Sequence, residues 1–429
     1  MLKTIYYPEP VVWPELCRRP LLDSDDLWSL MSEIFDQVSM FGDDSVKRFV
    51  SLYEGIESPV LEVPVSEIEK AGQGLDAKLK EAILSAKSNI ETFHRFTLIE
   101  PPVIETMPGI RCWIKKKPIN RVGLYVPGGS APLFSTVLML AVPAAIAGCS
   151  EVILCTPAGK KGKVDEAVLF AAKVAGISRV FAVGGAQAIA AMAIGTETIP
   201  KVDKIFGPGN QYVTAAKQFA GRSHCAIDLP AGPSEVLVIA DISANPEYVA
   251  ADLLSQAEHG EDSQVILVTD SMRVVDEVNK AIEKQLAQLP RADIASQALT
   301  NSLTILLRST EEAVNFSNLY APEHLILATA DAELLAEKVV HAGSVFVGHY
   351  SPESAGDYAS GTNHTLPTYG FARSMGGLTI DSFLKPVTFQ QLTREGLNSL
   401  APVIMEMASA EKLEAHRKAV EVRLQGKYS

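Results

Sequence analysis

Cysteine, excess positive charge and uninterrupted apolar length are all scarce in this chain of 429 residues. The five cysteines (Cys17, Cys112, Cys149, Cys155 and Cys225) are odd in number and form no close C-x-x-C pair. That excludes a disulfide framework and a thiolate zinc site, and it suits a reducing cytoplasm. Cys149 and Cys155 edge an apolar strand with no imidazole or cation nearby in sequence, so inert buried thiols are expected rather than a covalent thiohemiacetal mechanism. Acidic residues outnumber basic ones by 51 to 38, giving a net charge of −13, which argues against a grip on nucleic acid or an anionic membrane. The short cluster Lys115-Lys116-Lys117 reads as solvated surface. The longest apolar run, 137–147, contains Pro143 and is too short to span a bilayer. Pro8, Pro10, Pro14 and Pro20 break up the N-terminus and deny it a signal-peptide core. A soluble cytoplasmic protein is expected.

The G-x-G-x-x-G fingerprint of dinucleotide binding is also missing. What the chain does have is an ordinary globular composition, 47% hydrophobic and 21% charged, and enough length for two or three domains. After an extended arm of about 20 residues, helical spacing is expected over 26–40, 44–53 and 78–96. Short apolar strands then alternate with helices in two arrays. The first has strands at 122–126, 151–155, 179–183 and 204–206. The second has strands at 235–239, 264–269, 303–307, 324–329 and 344–347. Such alternation indicates parallel sheets covered on both faces. A Gly/Ser/Thr-rich loop is expected over 350–377, and helix from 381 onward.

Glycine-bearing turns end three strands of the first array: Pro127-Gly128-Gly129, Gly184-Gly185-Ala186-Gln187 and Gly207-Pro208-Gly209-Asn210. Their backbone N–H groups would suit a phosphate at a helix N-terminus; the alternative is tight turns needing φ > 0. Gln256 and His259 are three apart at a helix end and share a face, so both could address one metal ion, with Asp357 and His416 as further ligands. The competing reading is a polar helix face. In Ala321-Pro322-Glu323-His324, proline biases Ala321 toward extended backbone. Neighbours in an extended chain point to opposite sides, so Glu323 and His324 would flank a substrate as general bases. The alternative is a solvated glutamate beside a core histidine. The pair precedes a strand, whereas open parallel sheets usually bind ligands beyond strand C-termini.

Taken in order, these motifs combine with Gly123-Leu124-Tyr125-Val126-Pro127-Gly128-Gly129-Ser130, Asp228-Leu229-Pro230-Ala231-Gly232-Pro233-Ser234-Glu235 and Ser360-Gly361-Thr362-Asn363-His364. Together they closely resemble the L-histidinol dehydrogenase family over nearly the whole chain. The resemblance implies a zinc- and NAD-dependent enzyme that oxidises L-histidinol to L-histidine through an aldehyde, with one zinc per subunit. It implies Gln256, His259, Asp357 and His416 as zinc ligands, His324 as base and Glu323 as the activator of water. It implies Ser234, His364 and Glu411, together with the zinc ligands and His324, as substrate contacts, and Tyr125, Gln187 and Asn210 as cofactor contacts. His416 would reach across a homodimer with shared active sites. The expected fold is α/β with two Rossmann-like three-layer domains, divided into an arm (1–22), a discontinuous zinc/catalytic domain (23–121 and 235–380), an NAD-binding domain (122–234) and a helical tail (381–429).

Overall fold

Runs of β-branched and aliphatic residues bury on both faces only inside a covered parallel sheet, and two such sheets form here. A computed structural model describes residues 2–19, 25–128, 132–159, 162–229 and 232–426. Residues 20–22 of the arm, and Gly129, Ser130, Pro230 and Ala231 of the motifs, lie outside the described residues. The larger sheet runs Lys3–Tyr6, Leu303–Leu306, Gln264–Thr269, Glu235–Ala240, His324–Ala328, Ser344–Val347, all parallel. The smaller runs Arg179–Ala182, Glu151–Thr156, Arg121–Tyr125, Lys204–Phe206, Ala226–Ile227, also parallel. Leaving aside the N-terminal edge strand, each sheet has the order 3-2-1-4-5, the doubly wound arrangement expected. The central strands Glu235–Ala240 and Gln264–Thr269 are buried throughout.

The N-terminal segment departs from an extended arm. Lys3–Tyr6 pairs in parallel with Leu303–Leu306, and Trp13–Leu16 is a helical turn whose Trp13 ring meets Phe316 edge-on at 5.7 Å. Its prolines exclude a long helix, yet a short edge strand tolerates them nearby. The two helices expected over 26–40 and 44–53 merge into Asp25–Glu54, broken at Gly42, whose φ is 52°. This helix and Ala77–Phe96 pack on the smaller sheet: Met31, Phe35 and Phe49 share a core with Ile189 and Val213, and Ile83 and Ile90 with Leu138 and Phe170. Residues 25–96 thus join the smaller sheet, whereas 23–121 had been grouped with 235–380.

A second compact unit comprises 97–118 and the chain from 384 onward. Its core element is an antiparallel sheet of Ile104–Met107, Ile110–Pro118 and Leu384–Leu392, followed by helices Arg394–Ala410 and Glu414–Gln425. The tail is therefore not wholly helical. Leu384–Leu392 is a mostly exposed strand, its Phe389 stacked on Trp113 at 5.5 Å. The lysines at 115–117 lie within its partner strand. Among the described residues, no helix is long and apolar enough to cross a membrane.

Candidate functional site

Helix Pro246–Ala257 begins with proline at its first position and with the Asn245 side chain accepting Glu247 N–H at 3.0 Å, an N-cap that orders the helix. Its last turn delivers Gln256, fully buried, to the amino edge of the larger sheet. His259 follows the helix end, its N–H bonded to Gln256 O at 3.2 Å. Gln256 Nε2 donates to Glu235 O and to Glu323 Oε2, each at 3.3 Å, and lies 3.2 Å from His324 Nδ1. His324 opens its strand, with Nδ1 3.2 Å from Glu235 O and Nε2 3.4 Å from Asp357 Oδ1. The Glu235 carbonyl only accepts and so calls for a proton on Nδ1, while Nε2 faces the Asp357 carboxylate.

Glu323 and His324 do not diverge as extended neighbours would. Glu323 Oε2 is 3.5 Å from His324 Nδ1, and Glu323 is buried rather than solvated. Two local features explain this. The strand begins only at His324, and Ala321 caps the preceding helix in the left-handed region (φ 55°, ψ 68°) instead of running extended. The tertiary cap outweighs the bias that Pro322 imposes.

The loop expected over 350–377 contains the short helix Glu353–Tyr358, which carries Asp357. Glu353, one turn earlier and 1% exposed, was missed; the spacing Glu353-x-x-x-Asp357 was the available signal. His324, Glu353 and Asp357 offer ligand atoms within 4.8 Å of one another. Ser234 Oγ lies 3.3 Å from His259 Nδ1, and His364 sits 3.0 Å from Asp357 O through Nδ1 and 3.1 Å from Thr136 Oγ1 through Nε2. Ser234, Gln256, His259, Glu323, His324, Asp357 and His364 therefore gather at one place. Glu411 and His416 belong to the second unit. There, helix Arg394–Ala410 is capped by Glu411, Lys412 has φ 60°, and a new helix starts at Glu414, so the helix expected from 381 onward is broken between the two residues. Both residues are exposed in that unit.

The cluster is strongly self-coupled. Burial pushes the Glu323 and Glu353 carboxyls up, Glu353 well above its usual range. Burial alone would pull His324 down, but Glu323, Glu353 and Asp357 outweigh it and hold the imidazole well above its ordinary value. For Asp357 burial is likewise the largest influence, upward, and is overcome by His324, His364 and His259, which hold it low. His259 has an exposed edge but is crowded by protein at its base, and that desolvation is the main cause of its lowered pKa. Gln256 Oε1, His324 Nε2, Glu353 Oε2 and Asp357 Oδ1 are buried without a hydrogen-bond partner. Each such orphan costs about 1–3 kcal/mol. Oxygen and nitrogen donors that converge without partners are what a metal cation can satisfy.

At the carboxyl end of the smaller sheet lies a cavity of about 870 Å³ lined by Tyr125, Gln187 and Asn210, among others. Three of the glycine amides in these turns already have partners. Gly184 N–H goes to Glu54 Oε1 at 2.9 Å, Gly185 N–H to Tyr125 Oη at 3.0 Å and Gly207 N–H to Asp228 Oδ2 at 2.7 Å. Asn210 Oδ1 takes Tyr212 and Val213 N–H, both at 3.1 Å. Glu54, Tyr125, Asp228 and Asn210 thus take up the amides at Gly184, Gly185, Gly207, Tyr212 and Val213. Glu54, also missed, comes from the end of a distant helix, which no local spacing reveals.

The profile of the histidinol dehydrogenase family matches residues 17–424. Histidinol dehydrogenase of Bacteroides fragilis is 54% identical over 424 residues, 99% of either chain. That of Salmonella typhimurium is 50% identical over 412 residues, 95% of this chain and 94% of its own. The crystal structure of histidinol dehydrogenase from Elizabethkingia anophelis aligns with a TM-score of 0.96 at 50% identity, covering 99% of this chain and 98% of that one.

Proposed function

We propose a mechanism from one premise: this chain belongs to the histidinol dehydrogenase family, oxidoreductases of histidine biosynthesis. The reaction is the four-electron oxidation of L-histidinol to L-histidine through L-histidinaldehyde, with two NAD⁺ reduced. The observation that carries it is the set of buried, partnerless donor atoms at Gln256, His324, Glu353 and Asp357. Gln256, His259 and Asp357 would hold the zinc, with the partner's His416 completing the set in a homodimer. When bound, zinc supplies a positive anchor for the amine and imidazole of the substrate, and NAD⁺ beside Tyr125, Gln187 and Asn210 supplies the hydride acceptor.

His324 takes the hydroxyl proton at Nε2 as the carbinol carbon gives up its hydride. A cation held by Asp357 would offset part of the carboxylate field that raises His324, and so favour the neutral imidazole a base requires. Glu323 then takes a proton from water as its oxygen adds to the aldehyde carbon, and His324 returns its proton to the aldehyde oxygen. The hydrate loses a second hydride from carbon to a second NAD⁺ and a proton to the now neutral His324, and the acid so formed releases its proton to solvent as the carboxylate. Ser234, His364 and Glu411 fix the ends of the substrate. Burial raises the Glu323 carboxyl above its ordinary value, the direction that makes it a stronger proton acceptor.

The test is NADH formation on L-histidinol before and after chelation. Turnover lost on chelation and restored by zinc supports the reading, and turnover indifferent to chelation overturns it. Glu323→Gln should slow the aldehyde step chiefly; equal loss in both half-reactions would contradict the role given to Glu323.

A further inference from the structure

The segment read from sequence as an arm ends in a side chain tied to the cluster. Arg19 meets the buried Glu235 carboxylate in a bidentate pair, Nε to Oε1 at 2.6 Å and Nη2 to Oε2 at 2.8 Å. Nη2 also donates to Tyr320 O at 2.9 Å, and the guanidinium carbon lies 3.9 Å from the centre of the Tyr320 ring. Tyr320 stands three residues before Glu323. From the other side, Glu235 gives its own backbone N–H to Glu323 Oε2 at 2.8 Å. One guanidinium therefore fixes both the chain leading into Glu323 and the strand residue that orients its carboxylate.

Resting on the reading of Glu323 as the group that activates water, we infer that Arg19 is a positioning residue for the aldehyde half of the reaction. The chemistry calls for arginine in particular. A planar fork satisfies both oxygens of Glu235 while its face covers the tyrosine ring; an ammonium is a point charge and can do only part of this. The segment that presents Arg19 is itself held, through the Lys3–Tyr6 strand pairing and through Trp13, whose Nε1 donates to Pro8 O at 3.0 Å. Without Arg19, Glu235 becomes an unpaired buried carboxylate, and the Tyr320 carbonyl loses its donor. The segment carrying Ala321, Pro322 and Glu323 is then free to shift by the fraction of an ångström that matters for a general base.

The experiment measures kcat and KM of the zinc-loaded enzyme on L-histidinol and, separately, on L-histidinaldehyde. The variants are Arg19→Gln, Arg19→Lys, Glu323→Gln and the double variant Arg19→Gln/Glu323→Gln. Arg19→Gln should lower kcat on the aldehyde by about ten- to a hundredfold, with KM and zinc content unchanged. Arg19→Lys should recover part of that loss. In the Glu323→Gln background the same change should cost less than about twofold, because the group it positions is already gone. An aldehyde kcat unaltered in Arg19→Gln overturns the inference, as does an equal loss with and without Glu323. If Glu323→Gln itself leaves the aldehyde step intact, the underlying reading fails and takes this one with it, and that result is distinct from a failure of Arg19 alone. Should Arg19→Gln not fold, Arg19→Lys carries the same cycle.

Discussion

Two sheets of the same strand order use opposite ends. In the smaller sheet the cavity lies beyond the carboxyl ends, where Tyr125 closes one central strand and Asn210 follows the other. In the larger sheet the polar cluster lies at the amino ends, around Glu235 and His324. Its carboxyl end is filled by Asp241, which accepts N–H from Ser243 and Ala330, both at 2.9 Å. Helix direction explains the division. Helices enter at the carboxyl ends of parallel strands and present partially positive N-termini there, while their partially negative C-termini meet the amino ends. Gln256 and His259 stand at such a C-terminus, which favours a cation, and Asn210 at such an N-terminus, which favours an anionic cofactor. The usual rule for ligand position in doubly wound sheets thus fits the cavity and not the cluster, whose place at a helix C-terminus suits the opposite charge.

The sharpest way to break this comparison is to remove chemistry from one end and ask whether the other notices. His324→Asn should lower kcat by about a thousandfold in both half-reactions, the scale of a lost general base. Zinc content and KM for NAD⁺ should stay as they were, measured by metal analysis and steady-state kinetics. A large rise in KM for NAD⁺ would show that the two ends are one site. The converse change is Gly207→Ala. Gly207 has φ 125°, and a Cβ there would stand 2.0 Å from Tyr125 O. The backbone must shift at the junction of two central strands, at a cost of about 3 kcal/mol. The melting temperature should fall and KM for NAD⁺ should rise, with zinc retained.

How much of this was legible in the sequence follows from the same contrast. Strands such as Gln264–Thr269 and Lys204–Phe206 were readable to the residue because a strand buried on both faces is a continuous apolar run. Leu384–Leu392 escaped because a mostly exposed strand carries neither a continuous apolar run nor a clean alternation, and Lys3–Tyr6 because its four residues sit beside prolines. At the site, residues in local motifs were found. Glu353, Glu54 and Arg19 were not, since each acts through contacts more than a hundred positions away or through a helix hidden in a glycine-rich stretch. The closeness of Glu323 to His324 depends on the left-handed Ala321, a tertiary choice that the residue types did not announce.

Acid should separate the two regions more gently. His94 lies on the helix packed against the smaller sheet, and burial lowers its pKa from 6.5 to about 4. The folded protein therefore keeps it neutral where the unfolded chain takes up a proton. Its contribution is fully present above pH 6.5 and is lost as pH falls toward 4. By pH 5 the loss should be about 2 kcal/mol. Urea unfolding at pH 7 and pH 5 should show a drop in the wild type that His94→Gln reduces by that amount. An identical drop in both would mean that acid acts elsewhere, at the carboxylates of the larger sheet.

The smallest effect discriminates most finely, because Asn210 serves the fold and the cavity at once. Its side chain caps helix Gln211–Ser223 and also lines the cavity. Asn210→Ala removes the cap and should cost about 1 kcal/mol of stability, with a rise in KM for NAD⁺. Asn210→Ser restores an acceptor for the helix N-terminus and should return the stability, but its shorter side chain cannot restore the contact with the cofactor, so KM should remain high. Asn210→Asp should cap at least as well as asparagine and yet raise KM further, since a carboxylate there opposes an anionic ligand. If stability and KM recover together in Asn210→Ser, the residue acts on the cofactor only by holding its helix. The carboxyl end of the smaller sheet would then recognise its ligand through the shape set by that helix rather than through this amide.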